Sequence, residues 1–355
     1  MKKIVIFIPS LSFGGAERVT SILANYLSQK FEVTLITNFV DSKEYGLDSK
    51  VTRLVLSSKG VVDQIKEIRQ ILKKIQPYCT ITMFAPMYIY TYFAQLGLNI
   101  PQIVSERNDP RRFAGRIVTK KLYQYLLKKA NGIVFQTGEA EEFYYKNGIS
   151  KATIIYNPII TAKLPDVNLE NRKKRVINIG RLHPQKNQKM LISAFKRIHH
   201  KYPEYTLDIF GAGELEEELN DFISENNASE YVHLKGTTSK VAEELNSSEM
   251  FVLSSDFEGM PNTLIEAMCM GVPSISTDCP CGGPRELIKD GVNGLLTPVG
   301  DANKLAEKMD AILGNYELRE NLSNNAVKLR RKLDVDKICD EWIEFIKYIT
   351  KGHEK

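Results

Sequence analysis

Short apolar runs and stretches of helical periodicity alternate along almost the whole chain. In the first half the strand-like runs fall at residues 3–9, 32–37, 51–56, 79–84, 102–105, 132–136 and 153–156. Between several of them apolar side chains recur every three to four positions, which predicts helices over 16–28, 61–75 and 120–129. After Asn157-Pro158 a polar segment, 161–174, rich in Pro, Asn and charge, interrupts the pattern and reads as a linker. Strand-like runs resume at 175–179, 207–210, 232–234, 250–253, 273–276 and 294–296, with helical patterns at 215–224 and 303–313. The chain then stays helical over 318–332 and 335–349, with Trp342, Phe345 and Ile349 at helical spacing. Such alternation predicts α/β architecture: two doubly wound domains, 1–160 and 175–334, each a parallel sheet with helices on both faces.

Composition narrows the picture. A chain of 355 residues, 43% hydrophobic and 26% charged, suits two globular domains. The uncharged stretch 75–105 is long enough to span a membrane, but Pro77, Pro86 and Pro101 break it. It therefore reads as strand, helix and strand. The apolar run after Lys2 and Lys3 is shorter than a signal peptide requires and reads as a first strand. Five scattered cysteines, including the lone pair Cys279-Pro280-Cys281, suggest neither a disulfide framework nor a metal site, and fit a reducing cytoplasm.

Charge is divided unevenly. Residues 1–160 carry 22 Lys+Arg against 12 Asp+Glu, and the remainder 26 against 31. A basic first half suits an anionic surface or substrate, or chance clustering on solvated faces. Arg111, Arg112, Arg116, Lys120, Lys121, Lys128 and Lys129 gather around a helical pattern with Leu122, Tyr125 and Leu126. That pattern fits an interfacial amphipathic surface or an ordinary charged helix. No recognition helix or stacking motif accompanies the charge, so nucleic acid is not an expected partner.

Ligands of open α/β sheets bind beyond the carboxyl ends of the strands, so chemistry is sought there. Gly14-Gly15 opens the first helix, permitting either close approach to a phosphate or a tight turn. It is neither GxGxxG nor a P-loop. Arg181 and Lys186 share the loop after 175–179, where two cations can grip a diphosphate or simply face water. Gly211-Ala212-Gly213 ends another strand, leaving room for a base or ribose, or making a plain turn. Glu258 precedes Gly259-Met260-Pro261-Asn262, which would offer backbone N–H groups ahead of a helix. Thr263-x-x-Glu266 matches a capping box; Glu266 could equally accept from two adjacent sugar hydroxyls. Gly282-Gly283-Pro284 repeats the glycine-to-helix arrangement, with Pro284 suited to a first helical position.

Together GGAER, GRLxxxKN, GAGEL, FEGMPNTLIE, GxP and GGPRELIxxGxNGLL resemble glycosyltransferase family 4, over nearly the whole chain. GGAER and SERNDP look most like bacterial transferases building capsule, exopolysaccharide or lipid-linked oligosaccharide, one group of which adds N-acetylgalactosamine to an undecaprenyl-diphosphate-linked sugar. The resemblance implies the GT-B fold, with two Rossmann-like domains facing a cleft and the final helix, 335–355, returning to the N-domain. It implies retaining transfer from a nucleotide-sugar, UDP by family frequency, to a lipid-diphosphate-linked saccharide at the cytoplasmic face of the membrane. Arg181 and Lys186 would bind the diphosphate, Glu266 the ribose, and Glu258 the sugar. The backbone of Gly259–Asn262 and Thr263, with Gly211, would complete the donor site. Gly14 and Gly15 would form the acceptor side. No metal or other cofactor is implied. The only DxD, Asp334-Val335-Asp336, reads as a surface helix junction.

One departure stands out. Many relatives carry His after the strand that ends here at Ser105; this chain has Arg107, and its first His is His183. Arg107 or Asn108 is expected to hold donor sugar or acceptor instead. Two rival readings share these motifs. A 2-epimerase would convert UDP-N-acetylglucosamine without acceptor, and a non-catalytic partner of an assembly complex would bind without turnover.

Overall fold

The computed structural model describes residues 1–12, 14–107, 109–112, 117–146, 148, 151–167 and 172–351. In chain order its elements begin β1 (Lys3–Phe7), α1 (Gly15–Leu27), β2 (Glu32–Thr37), β3 (Thr52–Val55), α2 (Val61–Ile75) and β4 (Cys79–Thr82). Next come α3 (Ala85–Gln95), β5 (Gln102–Ser105), α4 (Ile117–Leu127), β6 (Gly132–Phe135), α5 (Gly138–Tyr145) and β7 (Ala152–Ile154). The second series is β8 (Lys173–Ile179), α6 (Gln188–His199), β9 (Thr206–Phe210), α7 (Glu216–Glu225), β10 (Val232–Leu234), α8 (Val241–Asn246) and β11 (Ser248–Leu253). It continues with α9 (Asn262–Cys269), β12 (Ser274–Thr277), α10 (Gly283–Leu287), β13 (Leu295–Thr297), α11 (Ala302–Gly314), α12 (Tyr316–Ala326) and α13 (Leu329–Leu333). Helix α14 (Val335–Thr350) closes it. The chain divides into one unit of Met1–Pro158 with the segment from Val335, and a second of Ile159–Asp334.

The first unit holds a sheet of order β3-β2-β1-β4-β5-β6-β7, and all its paired strands are parallel. The central strands β1 and β4 are buried on both faces: β1 reads as an apolar run, whereas β4, Cys-Thr-Ile-Thr, buries two threonines as well. Val19 and Leu23 of α1 pack on one face beside Ile338, Trp342 and Ile346 of α14. Ile68 and Leu72 of α2 and Met87 of α3 cover the other. Gly132 starts β6 beneath α14: a Cβ there would stand 2.7 Å from Ile349 Cδ1 and 2.9 Å from Phe345 Cζ. Glycine lets the helix lie against the sheet. Tyr26 of α1 and Lys30, just beyond its end, both donate to Asp340 of α14, at 3.2 and 2.9 Å.

The second unit has a parallel sheet of order β10-β9-β8-β11-β12-β13. Leu191 and Phe195 of α6 and Leu305, Met309 and Ile312 of α11 form the core with Val176, Leu207 and Met250 of the strands. Strand order reverses between β8 and β11, and it is beyond the carboxyl ends of the strands at such a reversal that these sheets take ligands.

Three expectations change. The helix expected over 318–332 is two, α12 and α13, parted by a turn at Val327 and Lys328. The polar segment is tied down: the carbonyls of Pro165 and Asp166 accept from Arg330 and Asn246, and β8 already begins at Lys173. Pro284 sits second in α10, after Gly283. Among the described residues no helix is long and apolar enough to cross a membrane. The uncharged stretch 75–105 forms the end of α2, then β4, α3 and β5.

Candidate functional site

The loops after β8 and β11 are joined side by side. Lys186 Nζ lies 2.5 Å from Glu258 Oε1. Four more bonds cross the same gap. Ser254 Oγ donates to the Lys186 carbonyl at 2.7 Å, and Asp256 N to that of Gln185 at 2.8 Å. Gln185 Nε2 donates to the Phe257 carbonyl at 2.8 Å, and Asn187 Nδ2 to Asp256 Oδ1 at 2.7 Å. Asn187 adopts the left-handed conformation (φ 46°, ψ 47°), which Asn tolerates better than most residues. Its Oδ1 also caps α6 by accepting from Met190 N at 3.3 Å.

Glu258 is 7% exposed, and its carboxylate takes a second bond, from Ser255 Oγ at 2.6 Å. Its backbone is fixed as well: Glu258 N donates to Pro280 O at 2.7 Å, and Cys281 N to Glu258 O at 2.9 Å. Gly283 seats this loop, since a Cβ there would fall 1.5 Å from the Gly259 carbonyl oxygen. Burial, reinforced by the Glu258 charge, pushes the Cys279 thiol up to about 12, so it stays neutral.

The structure does not bring every expected residue together. Arg181 shares the Lys186 loop but is exposed, and only its carbonyl is engaged, by Gln188 Nε2 at 2.9 Å. The Gly211 and Gly213 requirement is internal. Cβ atoms there would stand 1.9 Å from Gly180 O and 2.2 Å from Leu182 O, so these glycines let two loops of this unit meet. The capping box does not form. Pro261, with φ −77° and ψ 113°, ends the loop extended, and α9 starts at Asn262 with no side-chain cap. Thr263 is therefore inside the first turn, and Glu266, 4% exposed, sits a turn further in. Met260 and Pro261 are buried; Gly259, Asn262 and Thr263 are half-buried.

In the first unit, Gly14 is the N-cap of α1 and Gly15 its first residue. The Glu17 carboxylate folds over Gly14, 2.2 Å from where a Cβ would be. Arg107 is turned inward. It donates to Ser105 Oγ at 3.0 Å and to Asn157 Oδ1. The Gln136 amide, oriented to satisfy both its groups, donates to the Arg107 carbonyl at 3.0 Å. Burial lowers the guanidinium to about 10, against the pull of Glu17. This engagement differs from the ligand contact expected of Arg107; Asn108 lies outside the described residues. Beside it, Glu106 is a buried carboxylate that the sequence reading did not single out, accepting from Tyr123 of α4 at 2.7 Å and Tyr144 of α5 at 3.2 Å. Only the adjacency of α4, α5 and β5 reveals it.

The basic helix also differs in detail. Leu126 points into the core with Tyr123 and Leu127. Ile117 (73% exposed), Val118 (76%), Leu122 (37%) and Tyr125 (59%) face outward instead, among exposed Lys121, Lys128 and Lys129. Arg111 is paired with Asp109 at 2.9 Å and with Glu139, and Lys120 donates to the Arg111 carbonyl at 2.8 Å. Arg116 lies outside the described residues.

Comparison with known proteins places these features. Residues 13–163 match the family model Glycosyltransferase Family 4, and residues 160–329 match Glycosyl transferases group 1. An N-acetylgalactosamine-N,N'-diacetylbacillosaminyl-diphospho-undecaprenol 4-alpha-N-acetylgalactosaminyltransferase of Campylobacter jejuni is 29% identical, over 98% of this chain and all of the relative. An uncharacterized glycosyltransferase of Haemophilus influenzae is 27% identical over 96% of this chain and 99% of its own. Among solved structures, Anabaena HepE in complex with UDP superposes with a TM-score of 0.83 at 18% identity, covering 98% of this chain and 100% of that one.

Proposed function

Because this chain belongs to the glycosyltransferases of the GT-B fold, with a family 4 and a group 1 domain, we propose that it is a retaining enzyme using a UDP-sugar. It transfers a hexose or N-acetylhexosamine to a lipid-diphosphate-linked saccharide during assembly of a bacterial capsule, exopolysaccharide or O-antigen. The observation that carries the reading is the Lys186–Glu258 pair at the reversal of strand order. It puts a cation for a diphosphate beside a carboxylate for sugar hydroxyls. The Campylobacter relative's lipid-diphosphate acceptor and the UDP bound by HepE support the substrate classes.

In this reading Lys186, with exposed Arg181 and the start of α9, meets the negative charge that grows on the leaving β-phosphate. Glu266 accepts from the two ribose hydroxyls, as an ionised carboxylate can. Glu258 receives the donor sugar, supported by the backbone of Gly259–Asn262. The acceptor oxygen bonds to the anomeric carbon as the bond to phosphate breaks, both on one face. The acceptor proton passes to the leaving phosphate, so no protein base and no metal are required. The outward face of α4, with Ile117, Val118, Lys121, Leu122 and Tyr125, together with Lys128 and Lys129 just beyond its end, contacts the anionic membrane where such acceptors reside.

A thermal-shift panel of UDP- and GDP-sugars identifies the donor, and an NMR time course with a lipid-diphosphate-linked acceptor follows the product anomer. Retention is expected; inversion would overturn the mechanism.

A further inference from the structure

β11 ends at Leu253, and the chain continues through two consecutive, fully buried serines. Their hydroxyls serve opposite partners. Ser254 Oγ holds the Lys186 carbonyl at 2.7 Å, and Ser255 Oγ holds Glu258 Oε1 at 2.6 Å. Ser255 is in turn held from the neighbouring strand end, its carbonyl accepting from Thr277 Oγ1 at 2.5 Å. Other buried serines of this sheet give their hydroxyls to nearby carbonyls, Ser274 to Val272 O at 2.7 Å and Ser276 to Thr277 O at 3.0 Å. Ser255 alone of these four spends its hydroxyl on a carboxylate.

We propose that Ser255 is a positioning residue that fixes which oxygen of Glu258 the donor sugar meets, and so helps set sugar preference. Lys186 and Ser255 both bind Oε1. Oε2 takes part in neither bond and is the oxygen presented to a sugar hydroxyl. Two donors converging on one oxygen resist rotation of the carboxylate; one ammonium alone, without directional preference, does not. The inference rests on the assignment of Glu258 to the donor sugar.

Isothermal titration with UDP and with UDP-glucose, UDP-galactose, UDP-N-acetylglucosamine and UDP-N-acetylgalactosamine tests it on the full chain. In Ser255→Ala, UDP affinity should stay within about twofold while affinity for the preferred UDP-sugar falls about tenfold, the size expected for one hydrogen bond to a charged group. Preference among the four sugars should narrow equally. Ser255→Thr, which keeps a hydroxyl, should restore preference. Equal losses for UDP and UDP-sugars would mean general loop distortion and would overturn the proposal, as would unchanged preference in Ser255→Ala. Unchanged preference in Glu258→Gln would overturn the assignment of Glu258 itself, and this inference with it.

Discussion

Lys186 Nζ and Glu258 Oε1 are 2.5 Å apart, although 72 positions separate the residues in the chain. Each follows a central strand of the second unit, and β8 and β11 are direct neighbours. Neither side chain is more than 15% exposed, so the charges depend on each other and on Ser255. Lys186→Ala should lower turnover by about 10²–10³, the typical loss of one well-placed electrostatic contact. EDTA should change the wild-type rate little. Full loss in EDTA, restored by Mn²⁺, would refute metal-free transfer.

Glu266 lies inside α9 and closes no capping box. Capping and binding can therefore be separated experimentally. Thr263→Ala should cost well under the ~1 kcal/mol of a lost N-cap, as measured by denaturant unfolding. Glu266→Gln should leave the fold intact and weaken UDP binding about tenfold, because an amide cannot accept at both positions. Unchanged UDP affinity in Glu266→Gln would remove this residue from the donor site.

Gly132→Ala should destabilise the first unit by about 1–3 kcal/mol, the usual range for overpacking. Its Cβ would collide with Ile349 and Phe345 of α14. Ile349→Ala should recover part of the loss when combined with it, a non-additivity that a double-mutant cycle would read directly.

Vesicle flotation tests the α4 face. Binding to phosphatidylglycerol vesicles should fall steeply with salt. It should drop about fivefold for each of Lys121, Lys128 and Lys129 changed to Ala, near 1 kcal/mol per cation at a membrane surface. Val118→Asp should weaken it further by removing an exposed apolar contact. Salt-independent binding, or none, would exclude the membrane role.

Acid stability offers a separate check. Arg53 Nη1 lies 2.5 Å from Glu44 Oε2, and this bond lowers the Glu44 carboxyl from 4.5 to about 2. A depressed folded-state value means its contribution is complete above about 4.5 and is lost as pH falls toward about 2. Denaturant midpoints across that window should fall for the wild type, and less steeply for Glu44→Gln.

Much of this architecture is legible locally. The runs at 32–37, 102–105 and 232–234 coincide with β2, β5 and β10, each a short stretch carrying Val or Ile, which strands favour. Lys186 and Glu258 stand out individually as a cation and an acid after strands. Their pairing does not, since it depends on strand order. Nor do Ser254 and Ser255, which are ordinary residues until their neighbours are known. Two local motifs mislead. Thr263-x-x-Glu266 has the letters of a capping box, yet Pro261 sets the helix start. Leu126 fits an outward stripe, yet packing of α4 buries it and exposes Ile117 and Val118.

The second unit enters at Ile159 and leaves at Asp334, and these two residues bridge each other, with Ile159 N donating to Leu333 O at 2.8 Å. It is thus an insertion with adjoining ends, lying in the chain order between β7 and α14. During synthesis the two units cannot finish in the order they begin. The inserted unit has all its strands once Asp334 has left the ribosome. The earlier-made sheet must wait, one face covered only in part by α1, until Trp342 and its neighbours emerge to complete the cover. Helix α14, made after the inserted unit, completes the first unit.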